Sequence, residues 1–412
     1  MLDEKANEWK KIPLDVAVIG GSGVGKSSYI NAIRGMTADD EGAAPVAVTE
    51  TTTEVRSFPH PDNEMLRLWD LPGFGTKKFS RENYLAKIEV DRFDFFLLMT
   101  ANRFRADDIW LIDELRKQGK KYFFVRTKIA EDVANNKKAH PHTHSEEEVV
   151  TEIRESTATH LKEEGCDNVP IFLIDNYELQ KFEFKDLKMR LIEDFPELKK
   201  SALVFTLQAT SERIIRLKVD ELRARIWTKS ALSTGVALVP VPGLSLGIDL
   251  AIVVSEANFY FKQLGLDNES LQRYCRQYSL DYDKVRSIVD SALGIAATDT
   301  STTAVRRIVI RSKPLLTATA AEEGVRFFLP VIGSFIAAPT SFGGTYLALK
   351  LVLDKFEETA IEVMKFVAKN AANAKESGDS AEDTNGIKTQ GNSSRLQKSV
   401  SKDSGSAADN ID

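Results

Sequence analysis

The sequence predicts an α/β half followed by an all-α half, and three observations predict it. From Leu14 to about Pro196, short β-type apolar runs alternate with amphipathic segments, the rhythm of a parallel sheet wrapped by helices. Beyond Phe195-Pro196 the strand signal fades and long helical patterns replace it, over Ser211 to Ser230, Leu271 to Leu293 and Gly344 to Lys369. Between the first strand and the first helix lies a glycine-rich loop that ends in Lys26-Ser27. A chain of 412 residues, 42% hydrophobic and 28% charged, is long enough for two domains of ordinary size.

The strands read from the apolar runs are Asp15 to Ile19, Glu54 to Phe58, Met65 to Trp69, Phe93 to Thr100, Tyr122 to Arg126 and Val169 to Ile174. His60-Pro61-Asp62-Asn63 is turn chemistry, so the second and third strands form a hairpin and one edge strand runs antiparallel to the rest. Ala106 to Gln118 and Glu146 to Glu163 repeat apolar residues at helical spacing. In the second half, Ala231 to Val254 and Phe327 to Leu353 are unusually apolar. Each approaches the length of a membrane span but is interrupted, the first by Pro240-Val241-Pro242-Gly243 and the second by Pro330, Pro339 and Gly343-Gly344. A buried helical hairpin is favoured for each over a re-entrant or interfacial membrane segment. The divisions expected are an arm over 1–13, an α/β domain over 14–196, a helical domain over 197–370 and a disordered tail over 371–412, rich in Ser, Asn, Asp, Lys and Gly.

The net charge of -6 provides no global field for nucleic acid, so no nucleic-acid partner is expected and an anionic ligand must be held by a local site. Cys166 and Cys275 cannot form a secreted disulfide framework and fit a reducing, cytoplasmic setting. Met1 to Lys5 is charged, and no glycine follows Met1, so export and N-terminal acylation are not expected.

The local site is a strand, Val16 to Ile19, then Gly20-Gly21-Ser22-Gly23-Val24-Gly25-Lys26-Ser27-Ser28 and a helix start. Glycines let successive N–H groups turn toward one centre, and the positive end of the following helix points there, which cradles phosphates. Lys26 is placed to reach the β and γ phosphates, and Ser27 to bind Mg²⁺, a cation that takes oxygen ligands. In Leu68-Trp69-Asp70-Leu71-Pro72-Gly73 an apolar strand delivers Asp70 toward Mg²⁺ and Gly73 toward the γ phosphate, so that loss of the phosphate releases Phe74 to Lys78. Between these anchors, Met36 to Thr53 is long and polar, with Thr49, Thr51, Thr52 and Thr53 near its end; one of them is expected to meet Mg²⁺ and the γ phosphate.

With Asn31-Ala32-Ile33-Arg34-Gly35, Glu41-Gly42-Ala43-Ala44 and Phe123-Phe124-Val125-Arg126-Thr127-Lys128, the chain resembles the interferon-inducible immunity-related GTPases, a dynamin-like family, over roughly Leu14 to Lys369. The resemblance implies a Ras-like P-loop GTPase domain on a helical domain, GTP and GDP with Mg²⁺ as ligands, and homodimers or oligomers through GTPase-domain faces. It also implies a cytoplasmic protein, peripheral on intracellular membranes and acting in cell-autonomous defence. Glu50 and Thr52 match switch residues for catalysis and Mg²⁺ contact, and Lys26 marks the GKS type. Because Phe74 follows Gly73, no glutamine is there to align the attacking water; Glu50 is the candidate, with a solvated switch glutamate as the alternative. The arm before the first strand is shorter than in relatives, with Trp9 as its one evident anchor onto the helical domain.

The base motif departs from the pattern: where Thr-Lys-x-Asp is expected, Thr127-Lys128-Ile129-Ala130 stands. Guanine selection is therefore expected to weaken and Ala130→Asp to restore it. After the last strand, Asp175-Asn176 reaches the base pocket where relatives place serine before the asparagine. Asp175 either accepts guanine's donors from this opposite loop, favours adenine's amino group, or caps a turn in solvent. A nucleotide-binding scaffold with little turnover and an NTPase of relaxed base choice remain alternatives to a GTPase. His140-Pro141-His142-Thr143-His144 reads as an exposed loop before a metal tract, and Arg306, Arg307, Arg311 and Lys313 as a solvated face before a lipid contact.

Overall fold

The computed structural model describes residues 8–46, 54–73, 81–101, 106–166, 169–195, 197–236, 244–294, 346 and 348–370. Thr49, Glu50, Thr51, Thr52 and Thr53, the segment 74–78, the basic cluster at 306–313, most of the second apolar run and the tail lie outside the described residues.

The first strand, β1 (Leu14–Gly20), is buried along its whole length, as a strand in the middle of a parallel sheet must be, and its one charged residue, Asp15, accepts from Arg67 and Trp69. Around it are β2 (Arg56–His60), β3 (Asn63–Asp70), β4 (Phe95–Thr100), β5 (Lys121–Arg126) and β6 (Ile171–Leu173). Their order is β2-β3-β1-β4-β5-β6, and only the edge strand β2 runs antiparallel, against β3. The expected hairpin is therefore present, two residues further along than the Glu54 to Phe58 reading. Pro59 lies inside β2; an edge strand tolerates it because only one side of the strand needs donors. β4 starts later than Phe93 because a 3₁₀ turn over Val90–Arg92 carries the chain into the sheet.

On the sheet pack α1 (Lys26–Ile33), α2 (Arg81–Ile88), α3 (Ala106–Lys117), α4 (Ile129–Ala139) and α5 (Glu146–Glu163); α6 (Phe184–Asp194) packs against β6, and α7 (Glu197–Thr206) against β3. The α3 and α5 patterns stand where their apolar spacing placed them. The helical part comprises α8 (Glu212–Val236), α9 (Leu244–Gln263), α10 (Asn268–Tyr278), α11 (Tyr282–Leu293) and α12 (348–370). The single helix expected over Leu271 to Leu293 is two. Ser279 adopts a left-handed conformation, and the Asp281 carboxylate accepts the Lys284 N–H at 3.0 Å, starting a new helix. Pro240-Val241-Pro242-Gly243, the interruption of the first apolar run, lies outside the described residues. Among the described residues no helix is long and apolar enough to cross a membrane.

One core runs from the sheet into the helical part, taking in Val16, Leu97, Phe205, Tyr260 and Phe356. Trp9 is a wedge within it, 6% exposed, with its ring 5.2 Å from Phe205 and 6.4 Å from Phe259. Polar bonds tie the same parts together. Arg273 on α10 donates to Asp62 in the β2–β3 turn at 2.9 Å, and Asn63 donates to Thr206 at 2.9 Å. From α10, Gln277 also donates to the Ala32 carbonyl at the end of α1, and Arg276 to Asp40. The helical part thus touches the segment that leaves the nucleotide loop.

Candidate nucleotide-binding site

β1 ends at Gly20, whose backbone lies so close to β4 that an added Cβ would stand 2.1 Å from the Met99 carbonyl oxygen. Only glycine permits that approach. The loop then turns through Gly21, Ser22, Gly23 and Val24 to Gly25, which is left-handed at φ 91 and caps α1. Lys26 begins the helix and folds back over the loop, its amine donating to the carbonyls of Gly20 at 3.1 Å and Gly21 at 3.0 Å. The helix N-terminus and this amine face the same loop, a donor-rich cradle for phosphate oxygens.

Ser27 and Asp70 are 43 positions apart in the chain, yet the Ser27 hydroxyl donates to the Asp70 carboxylate at 2.8 Å. A hydroxyl and a buried carboxylate form an all-oxygen donor set that fits Mg²⁺, with waters and phosphate oxygens completing the coordination. Asp70 is held at the end of β3 because the next residue continues the sheet contact, Leu71 N–H donating to the Val18 carbonyl at 3.0 Å. Gly73 comes against the loop: a Cβ there would lie 3.6 Å from the Gly20 oxygen and 3.7 Å from the Ser22 nitrogen. Reading the sequence missed Tyr84. Its hydroxyl is buried and donates to the Pro72 carbonyl at 2.8 Å, which fixes the Asp70 to Gly73 turn. Burial, with the Asp70 carboxylate adding to it, holds that phenol protonated well above its usual range.

The motif residues Asn31 and Arg34 also acquire a task. Asn31 pairs both ways with Ala44, donating to its carbonyl at 2.8 Å and accepting its N–H at 2.7 Å. Arg34 donates to the Gly42 carbonyl at 3.0 Å and the Pro59 carbonyl at 3.0 Å. Together they clamp the entry of the polar loop to α1.

The base side is latched to the phosphate side. Thr127, fully buried, donates its hydroxyl to the Val24 carbonyl at 2.6 Å, and Asn176 donates to the Gly25 carbonyl at 3.0 Å. Lys128 is left-handed at φ 62, which turns the chain into α4, and its amine lies 3.8 Å from Glu131. Ser28 meets the Tyr177 hydroxyl at 3.3 Å. Asp175 does cap a turn, accepting Tyr177 N–H at 2.9 Å, but it is 6% exposed and its other oxygen accepts Ala130 N–H at 3.3 Å. Lys26, Ser27, Asp70 and Gly73 therefore converge on one side, and Thr127, Lys128, Asp175 and Asn176 on the other; Glu50 and Thr52 are not among the described residues.

A family model described as interferon-inducible GTPase matches residues 1–331. The chain is similar to interferon-inducible GTPase 5 of Rattus norvegicus, 35% identical over 352 residues, 85% of this chain and 74% of that protein. It is also 34% identical to interferon-inducible GTPase 1 of Mus musculus over 289 residues, 70% of each. Among solved structures, a bacterial selenocysteine-specific elongation factor aligns with 45% of this chain and 30% of its own, at 19% identity and a TM-score of 0.31. The extent of the family match, on a chain whose loop, strand end and base-side turns converge as described, makes this protein a GTPase belonging to the interferon-inducible GTPase family.

Proposed function

We propose that this chain hydrolyses GTP with Mg²⁺ in nucleotide-dependent homodimers or oligomers formed through faces of the α/β part, and that it acts at the cytoplasmic side of intracellular membranes in cell-autonomous defence. The observation that carries the site assignment is the Ser27–Asp70 contact beside the folded-back Lys26 amine. In this reading Lys26 neutralises charge on the β and γ phosphates, Ser27 and Asp70 hold the cation with Thr52, and Gly73 offers its N–H to the γ phosphate. Mg²⁺ supplies charge neutralisation at the phosphate oxygens. In-line attack on the γ phosphate needs a positioned water. With Phe74 after Gly73, Glu50 takes that task, directly or through the nucleotide of the partner subunit. The membrane part rests on family kinship and on the interrupted apolar runs at 231–254 and 327–353.

Because phenylalanine and not glutamine follows Gly73, turnover per molecule is expected to rise with protein concentration and to level off when dimers saturate. Phosphate release measured over a wide concentration range checks this. A constant specific activity would show each molecule to be self-sufficient, and no turnover at any concentration would leave a nucleotide-binding scaffold.

A further inference from the structure

Guanine carries two donors on one edge, N1–H and the N2 amino group, and an ionised carboxylate accepts both at once. At position 130 this chain has alanine, so the start of α4 brings no carboxylate from that side chain. The loop after β6 brings one. Asp175 is 6% exposed, with one oxygen accepting Ala130 N–H and the other accepting Tyr177 N–H. Two anchoring bonds, one from the first turn of α4 and one from the loop after β6, fix the plane of the carboxylate. They use one acceptor position on each oxygen, out of about four on an ionised carboxylate, so each oxygen retains one.

The flanking residues put this carboxylate at the base side of the site. Its neighbour Asn176 holds the Gly25 carbonyl, and Thr127, three residues before Ala130, holds the Val24 carbonyl. Both loops are thus latched to the phosphate loop, and Asp175 is bonded across the gap between them. We infer that Asp175 is the guanine-selecting residue of this GTPase: the base-reading carboxylate stands on the β6 loop in place of position 130, and Ala130 holds it there through its backbone N–H. The inference rests on the nucleotide-site reading above and adds which residue chooses the base.

This arrangement reverses the expectation drawn from the motif alone. A carboxylate added at position 130 would come within a few ångströms of Asp175, and two like charges so close cannot both remain ionised and in place. Ala130→Asp by itself therefore damages the pocket. Only the paired exchange, Ala130→Asp with Asp175→Ser, returns a single carboxylate to it.

The experiment is a competition of GTP, ITP, XTP and ATP for the purified full chain and its variants, followed by calorimetry. The parent is expected to prefer GTP, and ITP, which lacks the N2 amino group, to bind more weakly. Asp175→Asn offers one acceptor and one donor, matching xanthine's N1–H and C2 carbonyl. GTP affinity should then fall by about 10-fold to a few hundred-fold, with XTP gaining in its place. Ala130→Asp should lower GTP affinity, and the double exchange should recover most of it. An unchanged ratio of GTP to XTP in Asp175→Asn, or improved GTP selectivity in Ala130→Asp alone, overturns the inference. If Asp175→Asn binds no nucleotide, the double exchange decides: recovered GTP preference supports the assignment and its absence overturns it. A parent that binds triphosphates without preferring GTP overturns the base assignment while leaving the phosphate site intact, whereas a parent that binds none overturns both.

Discussion

Lys26→Ala is expected to weaken GTP binding by at least about 100-fold, because the amine is the one cation delivered into the loop by α1 and charge-assisted bonds to phosphate contribute roughly 1.5 to 3 kcal/mol each. The fold should survive. The amine's partners include the Gly20 and Gly21 carbonyls, on a loop exposed at Ser22 and Gly23, where water can replace it. Calorimetric titration with GTP, beside circular dichroism and a melting curve, separates the two effects. Affinity unchanged from the parent would remove the phosphate-loop assignment. A collapsed melting temperature would instead make Lys26 a structural residue, contrary to the exposure of the loop it covers.

The largest expected effect on stability lies far from the nucleotide. Arg225 on α8 and Glu256 on α9 form a two-pronged ion pair at 2.8 and 3.0 Å with side chains 8% and 4% exposed, and the guanidinium lies 4.3 Å from the Phe259 ring. Removing one member takes its main countercharge from a buried ion. Glu256→Leu is therefore expected to cost about 3 to 5 kcal/mol, while Arg225→Met with Glu256→Leu should recover much of that loss, since an apolar pair of similar volume avoids desolvating two ions. Urea unfolding of the three variants measures the cycle. A double variant no more stable than Glu256→Leu would mean that the ion pair specifies the α8–α9 packing beyond its charge balance. Because Phe259 also contacts Trp9 and Phe205, the loss should reach the α/β part through the shared core.

What could be read along the chain was what short-range chemistry governs. The phosphate loop is legible because strand, glycines, lysine and helix start are consecutive. β1, β4 and β5 are legible because buried parallel strands need mostly apolar runs, and the edge hairpin because Pro61-Asp62 turns the chain. The break between α10 and α11 was missed although its signal is local: Asp281 is an ordinary cap, but the apolar spacing on either side continues across it. The helices α6 and α7 were passed over because they are short and follow the strand rhythm without its period.

By itself, then, the sequence determined the family and the phosphate-loop motif, because those depend on residues adjacent in the chain. The tertiary structure decided the contacts made across long separations. It brought Ser27 to Asp70, Asn31 to Ala44 and Trp9 to Phe205 and Phe259, and set Tyr84 behind the Pro72 turn. It also decided the orientation of Asp175, for which the sequence left three choices open. A carboxylate takes the direction of whichever N–H groups surround it when buried, and here one of those, Ala130, arrives from the first turn of α4, 45 residues away.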